Sequence, residues 1–354
     1  MREAIKLARK SGGRTRPNPQ VGAVVVKGGK IVGKGCHKKA GLPHAENEAI
    51  NDAKNLAKNS QLYVTLEPCV HFGRTPPCVD AIIKSGIKNV YVGTLDPNPI
   101  INGKGVEKLR AAGIYVECGI LEEECRALNE GYNMWVSQNR PFVTLKIAAT
   151  LDGNVADFNF KSKWITGEDA RKIVHKLRAA SDAVLVGIGT VLIDDPLLTA
   201  RGVKTPKGQP MRIVLDDRLK ISEGAKILGR AAKTLIVTSK KNFDEKKKAR
   251  LNQCTEIIHI SEKGGFLDMR KLLNELKKRE IQSLLVEGGA TIFSNFIKEG
   301  LWDRLYLFVA PKILGRGISW SKNIRLELDR AKRVKLAGSK KVGEDLLLIL
   351  EREG

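Results

Sequence analysis

Between Val21 and Cys36 the chain reads VGAVVVKGGKIVGKGC, two apolar stretches around Gly28-Gly29, a pattern that predicts a pair of strands joined by a tight turn. An amphipathic helix, MREAIKLARK, precedes it. A helix from His44, a strand over Gln61 to Thr65, a helix after Pro76-Pro77, a strand over Asn89 to Val92, a helix over Gly105 to Ala112 and a strand over Ile114 to Val116 follow. A second series opens with FVTLKIAATLDG, Phe142 to Gly153. It continues with apolar runs at Ala183 to Val186, Arg212 to Leu215, Thr234 to Val237, Ser283 to Val286 and Leu305 to Val309, most of them separated by helical stretches. Strands alternating with helices predict α/β architecture. No internal repeat relates the two series, and the polar segment Ser137-Gln138-Asn139-Arg140-Pro141 joins them, so two different α/β domains are expected, residues 1–139 and 140–354.

A length of 354 residues suits two cores better than one. No apolar run approaches the ~18 to 20 residues of a membrane span, and Glu3 and Lys6 break up any apolar stretch of a signal peptide, so a cytoplasmic enzyme is expected. Six cysteines dispersed over this length read as thiols or metal ligands rather than a disulfide framework. Four of them, Cys36, Cys118, Cys125 and Cys254, are expected to be buried apolar residues, and His175 and His259 to be ordinary surface or core histidines. The net charge of +23 admits a solvated lysine-rich surface, a preference for anionic small molecules, or a nucleic-acid face. Against the last, the lysines are scattered, the densest run (KKNFDEKKKAR, 240–250) carries its own acids, and aromatic residues are only 5%, leaving few platforms for base stacking.

Two stretches concentrate chemistry. HAENEAI (His44 to Ile50) sets a histidine and a carboxylate two residues apart at a helix start, and EPCVHFGRTPPC (Glu67 to Cys78) supplies two cysteines. His44, Cys69 and Cys78 make three N/S ligands, the number that leaves catalytic zinc an open position. Residues two apart on a helix point about 200° apart, so His44 and Glu46 share a centre only in front of the first turn. Both thiolates are expected near helix N-termini, whose dipoles favour negative charge. Zinc would bring a bound water's pKa towards ~7, and Glu46 would take the proton and hand it to a leaving amine. His-x-Glu with a later Pro-Cys and a second Cys is the zinc-deaminase signature.

The eight residues between Cys69 and Cys78 exceed the two found in cytidine and tRNA adenosine deaminases. RTRPNPQVGAVVV, HAE, TLEPCVHFGRTPPC and DPNP together resemble the deaminase half of the bifunctional RibD family of riboflavin biosynthesis. LKIAATLDG, SKWITG, VGIGTVLIDDPLLTAR, LVEGGATIF and APKILG resemble its reductase half, so the likeness covers nearly the whole chain in order. It implies a cytidine deaminase-like three-layer α/β/α domain followed by a dihydrofolate reductase-like α/β domain, with Zn2+ and NADPH as cofactors. In the deaminase pocket it implies Asn18, His37, His71 and Arg74 as holders of the pyrimidine and the ribose phosphate, Arg74 suiting phosphate through its planar fork. VEGGAT (Val286 to Thr291) places two glycines between strand and helix, which fits backbone approach to a phosphate or a plain loop, and the G-x-G-x-x-G of a dinucleotide-binding Rossmann domain is missing. By resemblance, Ala148, Trp164, Thr190, Asp194, Asp217, Gly289, Ala290, Thr291, Ile292, Phe293, Ser294 and Asn295 contact the cofactor. Ser162, Arg178, Leu198, Arg201 and Glu287 contact substrate, Arg178 and Arg201 clamping its phosphate, and Lys146 is a candidate for polarising the ribose. The implied partners are phosphorylated pyrimidine small molecules and a second copy of the chain, a homo-oligomer, with neither nucleic acid nor membrane. A tRNA-editing deaminase with an accessory domain, a deaminase whose second half is inactive, and a non-catalytic zinc module are the rival readings.

Overall fold

The antiparallel hairpin of β1 (Gly22–Lys27) and β2 (Lys30–Cys36) forms one side of a five-stranded sheet in the order β2-β1-β3-β4-β5. Its other strands are β3 (Gln61–Leu66), β4 (Asn89–Thr94) and β5 (Tyr115–Cys118), β3 antiparallel to β1 and the last three mutually parallel. The computed structural model describes residues 1–72, 76–239 and 244–353, and the chain divides into two units, Met1–Arg140 and Pro141–Gly354.

In the first unit α2 (Ala45–Ala53), α3 (Cys78–Ser85) and α4 (Lys104–Ala111) cover one face of the sheet through Ala45, Ala49, Ala53, Val79, Ile82, Val106 and Leu109. The helix α1 (Arg2–Arg9) covers the other through Ala4 and Leu7, while α5 (Glu122–Ala127) and α6 (Glu130–Ser137) complete the unit. Each fully buried Val, Leu or Ile contributes about 1.5–3 kcal/mol to holding these layers together. The close seat of α2 on β2 needs two glycines: a Cβ on Gly33 would lie 2.2 Å from the Ala49 carbonyl oxygen, and one on Gly35 2.1 Å from that of Ala45. With only hydrogen there, and alanines on the facing helix, the start of α2 is fixed against the sheet.

The second unit is built on a nine-stranded sheet in the order β11-β10-β9-β8-β14-β6-β15-β18-β17. In chain order its elements are β6 (Phe142–Thr150), β7 (Asn154–Asp157), α7 (Glu168–Ala180), β8 (Ala183–Gly187), α8 (Ile188–Asp194), β9 (Met211–Leu215), β10 (Thr234–Thr238), α9 (Glu245–Leu251) and β11 (Glu256–His259). A two-residue ladder of β12 (Glu262–Lys263) and β13 (Phe266–Leu267), then α10 (Met269–Lys278), β14 (Ser283–Gly288), α11 (Ala290–Lys298) and β15 (Arg304–Ala310), come next. The chain ends with β16 (Gly317–Ser319), β17 (Val334–Val342) and β18 (Asp345–Arg352). All pairings from β11 to β15 are parallel, whereas β18 runs antiparallel to both neighbours. The residues of β8 and β10 are buried throughout, as expected where helices cover both faces. One face packs Leu145, Leu185, Val286, Phe293 and Phe296 with α10, and the other packs Val184, Val186, Val214, Ile236 and Leu285.

Several expectations need correction. The strand pair β17–β18, the short β7 and β16, and β11 were not foreseen. Of the cysteines expected in the core, Cys125 is buried, Cys36 and Cys118 are half-buried at strand ends, and Cys254 is exposed after α9. All six thiols are free.

Candidate active sites

His44 is the N-cap of α2 with extended backbone (φ −73°, ψ 164°), which turns its ring in front of the helix while Glu46 sits in the first turn. Cys69 lies in the loop after β3, and Cys78 is the first residue of α3. Nδ1 of His44 stands 3.1 Å from Sγ of Cys78 and 3.6 Å from Sγ of Cys69, and the three ligand atoms lie within 4.8 Å of one another. The Cys78 backbone N–H donates to Sγ of Cys69 at 3.4 Å, so the N-terminus of α3 supports that sulfur as a thiolate. The hydrogen bond from the Cys78 thiol, against the effect of burial and with help from His44, holds Cys69 down at about 4.

Glu46 is buried, and its Oε2 has no hydrogen-bond partner among the described residues. Burial and the Cys69 charge, opposed by His44, push its carboxyl up to about 7. A bare carboxylate oxygen beside a His/Cys/Cys set is what a zinc ion carrying a water requires, so the donor set fits the metal.

Around this centre, His37 is buried with Nδ1 3.2 Å from the Pro43 carbonyl oxygen and Nε2 3.1 Å from Nδ2 of Asn18, and its ring meets that of His44 edge-on at 5.1 Å. Burial holds the imidazole below its ordinary pKa, so it is neutral, donating from Nδ1 and accepting from the Asn18 amide. His71 is exposed, and Arg74 lies outside the described residues.

Sequence reasoning quoted but did not single out Glu67 and Asp96. Glu67, buried two residues before Cys69, accepts four backbone N–H groups: those of Gly105 and Val106 on Oε1 (2.8 and 3.2 Å) and those of Gly103 and Asp96 on Oε2 (2.9 and 3.2 Å). It thereby caps α4 and ties the loop after β4 to the cysteine loop. Asp96 accepts from the Tyr132 hydroxyl at 3.1 Å and from the Asn98 backbone at 2.9 Å, and burial pushes its carboxyl up to about 6.

The second unit holds a cleft of about 940 Å³ at the carboxyl ends of β6, β8 and β14. Lys146 and Ala148 from β6, Glu287 from β14, and Arg178 from α7 face it. Gly289, Ala290, Thr291, Ile292, Phe293 and Asn295 line it at the start of α11. Thr190, Asp194, Leu198, Arg201 and Asp217 line it too, as do Ser162 and Trp164. Ser294 does not: it is fully buried and donates to the Ala290 carbonyl, because a seven-residue run on a helix turns some side chains into the core. Gly289 has φ +94°, and a Cβ on Gly288 would stand 2.8 Å from Oγ1 of Thr190, so the end of β14 and α8 meet only over glycine.

Ser162 Oγ donates to the Asp194 carboxylate at 3.0 Å, and the Arg171 guanidinium lies 4.5 Å above the exposed Trp164 ring. Arg178 donates from Nε and Nη2 to the two oxygens of Glu287, at 2.5 and 2.8 Å, and from Nη1 to the Thr199 carbonyl at 3.1 Å. Most of its fork is therefore committed within the protein, which sets it apart from Arg201, whose guanidinium makes, among the described residues, one 3.3 Å contact with Oγ1 of Thr199. Burial and the Arg178 charge, opposed by Glu287, lower the pKa of the Lys146 amine. His175, not expected to matter, accepts the Arg201 backbone N–H on Nδ1 at 3.1 Å. No helix among the described residues is long and apolar enough to cross a membrane.

Comparison with known proteins bears on both sites. Residues 1–94 match the cytidine and deoxycytidylate deaminase zinc-binding region, and residues 141–348 match the RibD C-terminal domain. The riboflavin biosynthesis protein RibD of Aquifex aeolicus is 49% identical over 99% of this chain and 97% of its own, and that of Escherichia coli is 38% identical over 99% and 98%. A diaminohydroxyphosphoribosylaminopyrimidine deaminase/5-amino-6-(5-phosphoribosylamino)uracil reductase from Thermotoga maritima superposes with a TM-score of 0.87 at 39% identity, covering 100% of this chain and 97% of that one. RibD of Acinetobacter baumannii superposes at 0.89 with 38% identity, covering 100% and 98%.

Proposed function

Because the chain belongs to the bifunctional RibD family of riboflavin biosynthesis, a zinc-binding deaminase joined to an NADPH-dependent reductase, we propose that its two units carry out consecutive reactions. The first deaminates 2,5-diamino-6-(5-phosphoribosylamino)pyrimidin-4(3H)-one, and the second reduces the ribosyl group of 5-amino-6-(5-phosphoribosylamino)uracil to ribityl.

In the first unit His44, Cys69 and Cys78 hold zinc, whose contribution when bound is to acidify a coordinated water towards ~7 and so supply the nucleophile. Glu46 takes up the proton and returns it to the departing amine, so the carbon bearing the 2-amino group gains oxygen and ammonia leaves. Neutral His37 fixes the Asn18 amide with its nitrogen turned inward to the ring, and the two meet the pyrimidine, with His71 and Arg74 completing the pocket and Arg74 on the phosphate. The bare oxygen of Glu46 carries this assignment, since a purely structural zinc site has no use for a proton shuttle.

In the second unit NADPH, when bound, would supply the hydride that reduces C1′ of the opened ribose. Ala148, Trp164, Thr190, Asp194, Asp217 and the start of α11 from Gly289 to Asn295 hold the cofactor, with Ser294 supporting from the core. Ser162, Leu198, Arg201 and Glu287 position the substrate, and Lys146 polarises the ribose. Arg201 takes the phosphate, while Arg178 chiefly orients Glu287. This reading makes phosphorylated pyrimidines the partners, rather than nucleic acid or membrane, and expects a homo-oligomer in the cytoplasm. Supplying the diaminopyrimidine substrate with and without NADPH tests it: deaminated pyrimidine alone without NADPH, and the ribityl product with it. Ribityl product that still carries the 2-amino group would reverse the order. A fragment 140–354 that folds and binds NADPH is expected to reduce the deaminated substrate regardless of zinc chelators.

A further inference from the structure

The segment from Leu197 to Arg201, which carries Leu198 and Arg201 into the reductase cleft, belongs to no helix or strand. Its main chain is held instead by side chains from elsewhere, almost residue by residue. Arg212 Nη1 approaches the Leu197 carbonyl at 3.5 Å, and Arg178 donates to that of Thr199 at 3.1 Å. Gln209 accepts from the Ala200 N–H at 2.8 Å and donates to its carbonyl at 2.9 Å, and His175 accepts from the Arg201 N–H at 3.1 Å. Of the four anchoring side chains only histidine changes charge near neutral pH.

We propose that His175 is a positioning residue of the reductase's anion site: its unprotonated Nδ1 holds the Arg201 main chain and thereby sets where the Arg201 guanidinium meets the substrate phosphate. This rests on the reading that Arg201 takes that phosphate. The tie exists only while Nδ1 is an acceptor, for a protonated imidazole has donors alone. The charged groups around the ring are Arg178 on its own helix, Arg201 on the held segment and Glu287 on β14. Burial and the two guanidinium charges keep the imidazole below its ordinary value of 6.5, against the Thr199 carbonyl and Glu287. The site is thus assembled at neutral pH and loosens in mild acid. There a protonated ring is left facing the Thr199 carbonyl, and Arg201 loses its fixed position.

The test uses the full-length zinc-loaded chain with NADPH and 5-amino-6-(5-phosphoribosylamino)uracil. His175→Leu, which removes the acceptor, should raise KM for that substrate roughly two- to tenfold, the range for one hydrogen bond, with kcat and NADPH affinity nearly unchanged. His175→Gln, which offers an uncharged acceptor at every pH, should restore KM. As pH falls, KM should rise more steeply in the wild type than in His175→Gln, since the substrate phosphate's own titration near ~6 is common to both. If His175→Leu fails to fold, the pH comparison with His175→Gln decides alone. If Arg201→Ala raises KM while His175→Leu and the pH comparison show no effect, the inference about His175 is overturned and the phosphate reading stands. If Arg201→Ala leaves KM unchanged, the phosphate reading falls and this inference falls with it.

Discussion

Arg178 and Glu287 face each other as a two-bond ion pair across the floor of the reductase cleft, with 13% and 5% of their side chains exposed. Burial alone would raise the Glu287 carboxyl, but the guanidinium outweighs it and holds the carboxyl below its ordinary value. A depressed carboxyl contributes stability that is complete above the ordinary carboxylate range and is lost as pH falls through the lowered value, so this pair should make the second unit acid-labile. Glu287→Gln strands a buried guanidinium without its countercharge. It is expected to cost about 3–5 kcal/mol, read as a lower urea midpoint at neutral pH and a flatter pH dependence below 4.5. An unchanged midpoint would show that Arg178 finds another partner.

The purified protein should carry about one zinc per chain, because three ligands define a single centre. Cys69→Ser and Cys78→Ser should each lose it, while Cys254→Ser, at an exposed thiol outside the ligand set, should not. Metal analysis that finds zinc retained in both ligand variants would remove the assignment.

Glu46→Gln should keep zinc and fold yet slow ammonia release by about 10²- to 10⁴-fold, the usual weight of a positioned proton carrier. Reduction of the already deaminated substrate should be untouched in the same sample, which provides the internal control. Ammonia release near the wild-type rate would mean that another group moves the proton.

Glu67 spends both oxygens on pairs of backbone N–H groups. A carboxamide at this position must point its NH2 at two donors, so Glu67→Gln should destabilise the first unit by about 2–3 kcal/mol. Differential scanning calorimetry should show only the deaminase transition lowered; a shift of both transitions would contradict a local role.

The clustering of His44, Cys69 and Cys78 beside Glu46 was legible because these residues lie in two short motifs whose spacing suggests a shared centre. The strands buried on both faces were legible for a similar reason, as unbroken apolar runs. Elsewhere the information is not local. The partners of Glu67 lie 29 to 39 residues further on, so its role as a clamp is invisible inside TLEPC. His175 meets Arg201 across 26 residues, and a lone histidine on a helix announces nothing. The strand β17, VKLAGSKKV, is an exposed edge rich in lysine, with no apolar alternation to betray it. Ser294 was placed in the cleft by carrying over a continuous run, where helical periodicity buries it.

The strand order of the second unit also fixes a schedule for its synthesis. All five strands of the first unit have been made by Cys118, so that unit can close while the rest of the chain is still being translated. The strand β6 comes next from the ribosome, yet both its neighbours, β14 and β15, begin only at Ser283 and Arg304. Pairing among β8, β9 and β10 can start earlier, but the open edge of β8 waits for β14 as well. Throughout that interval β6 remains an unpaired apolar ribbon and β8 keeps one open apolar edge, the kind of surface that aggregates or recruits chaperones. A nascent chain stopped before Ser283 should therefore display a protease-resistant first unit tethered to a sticky, protease-sensitive remainder, and one released after Arg352 should not.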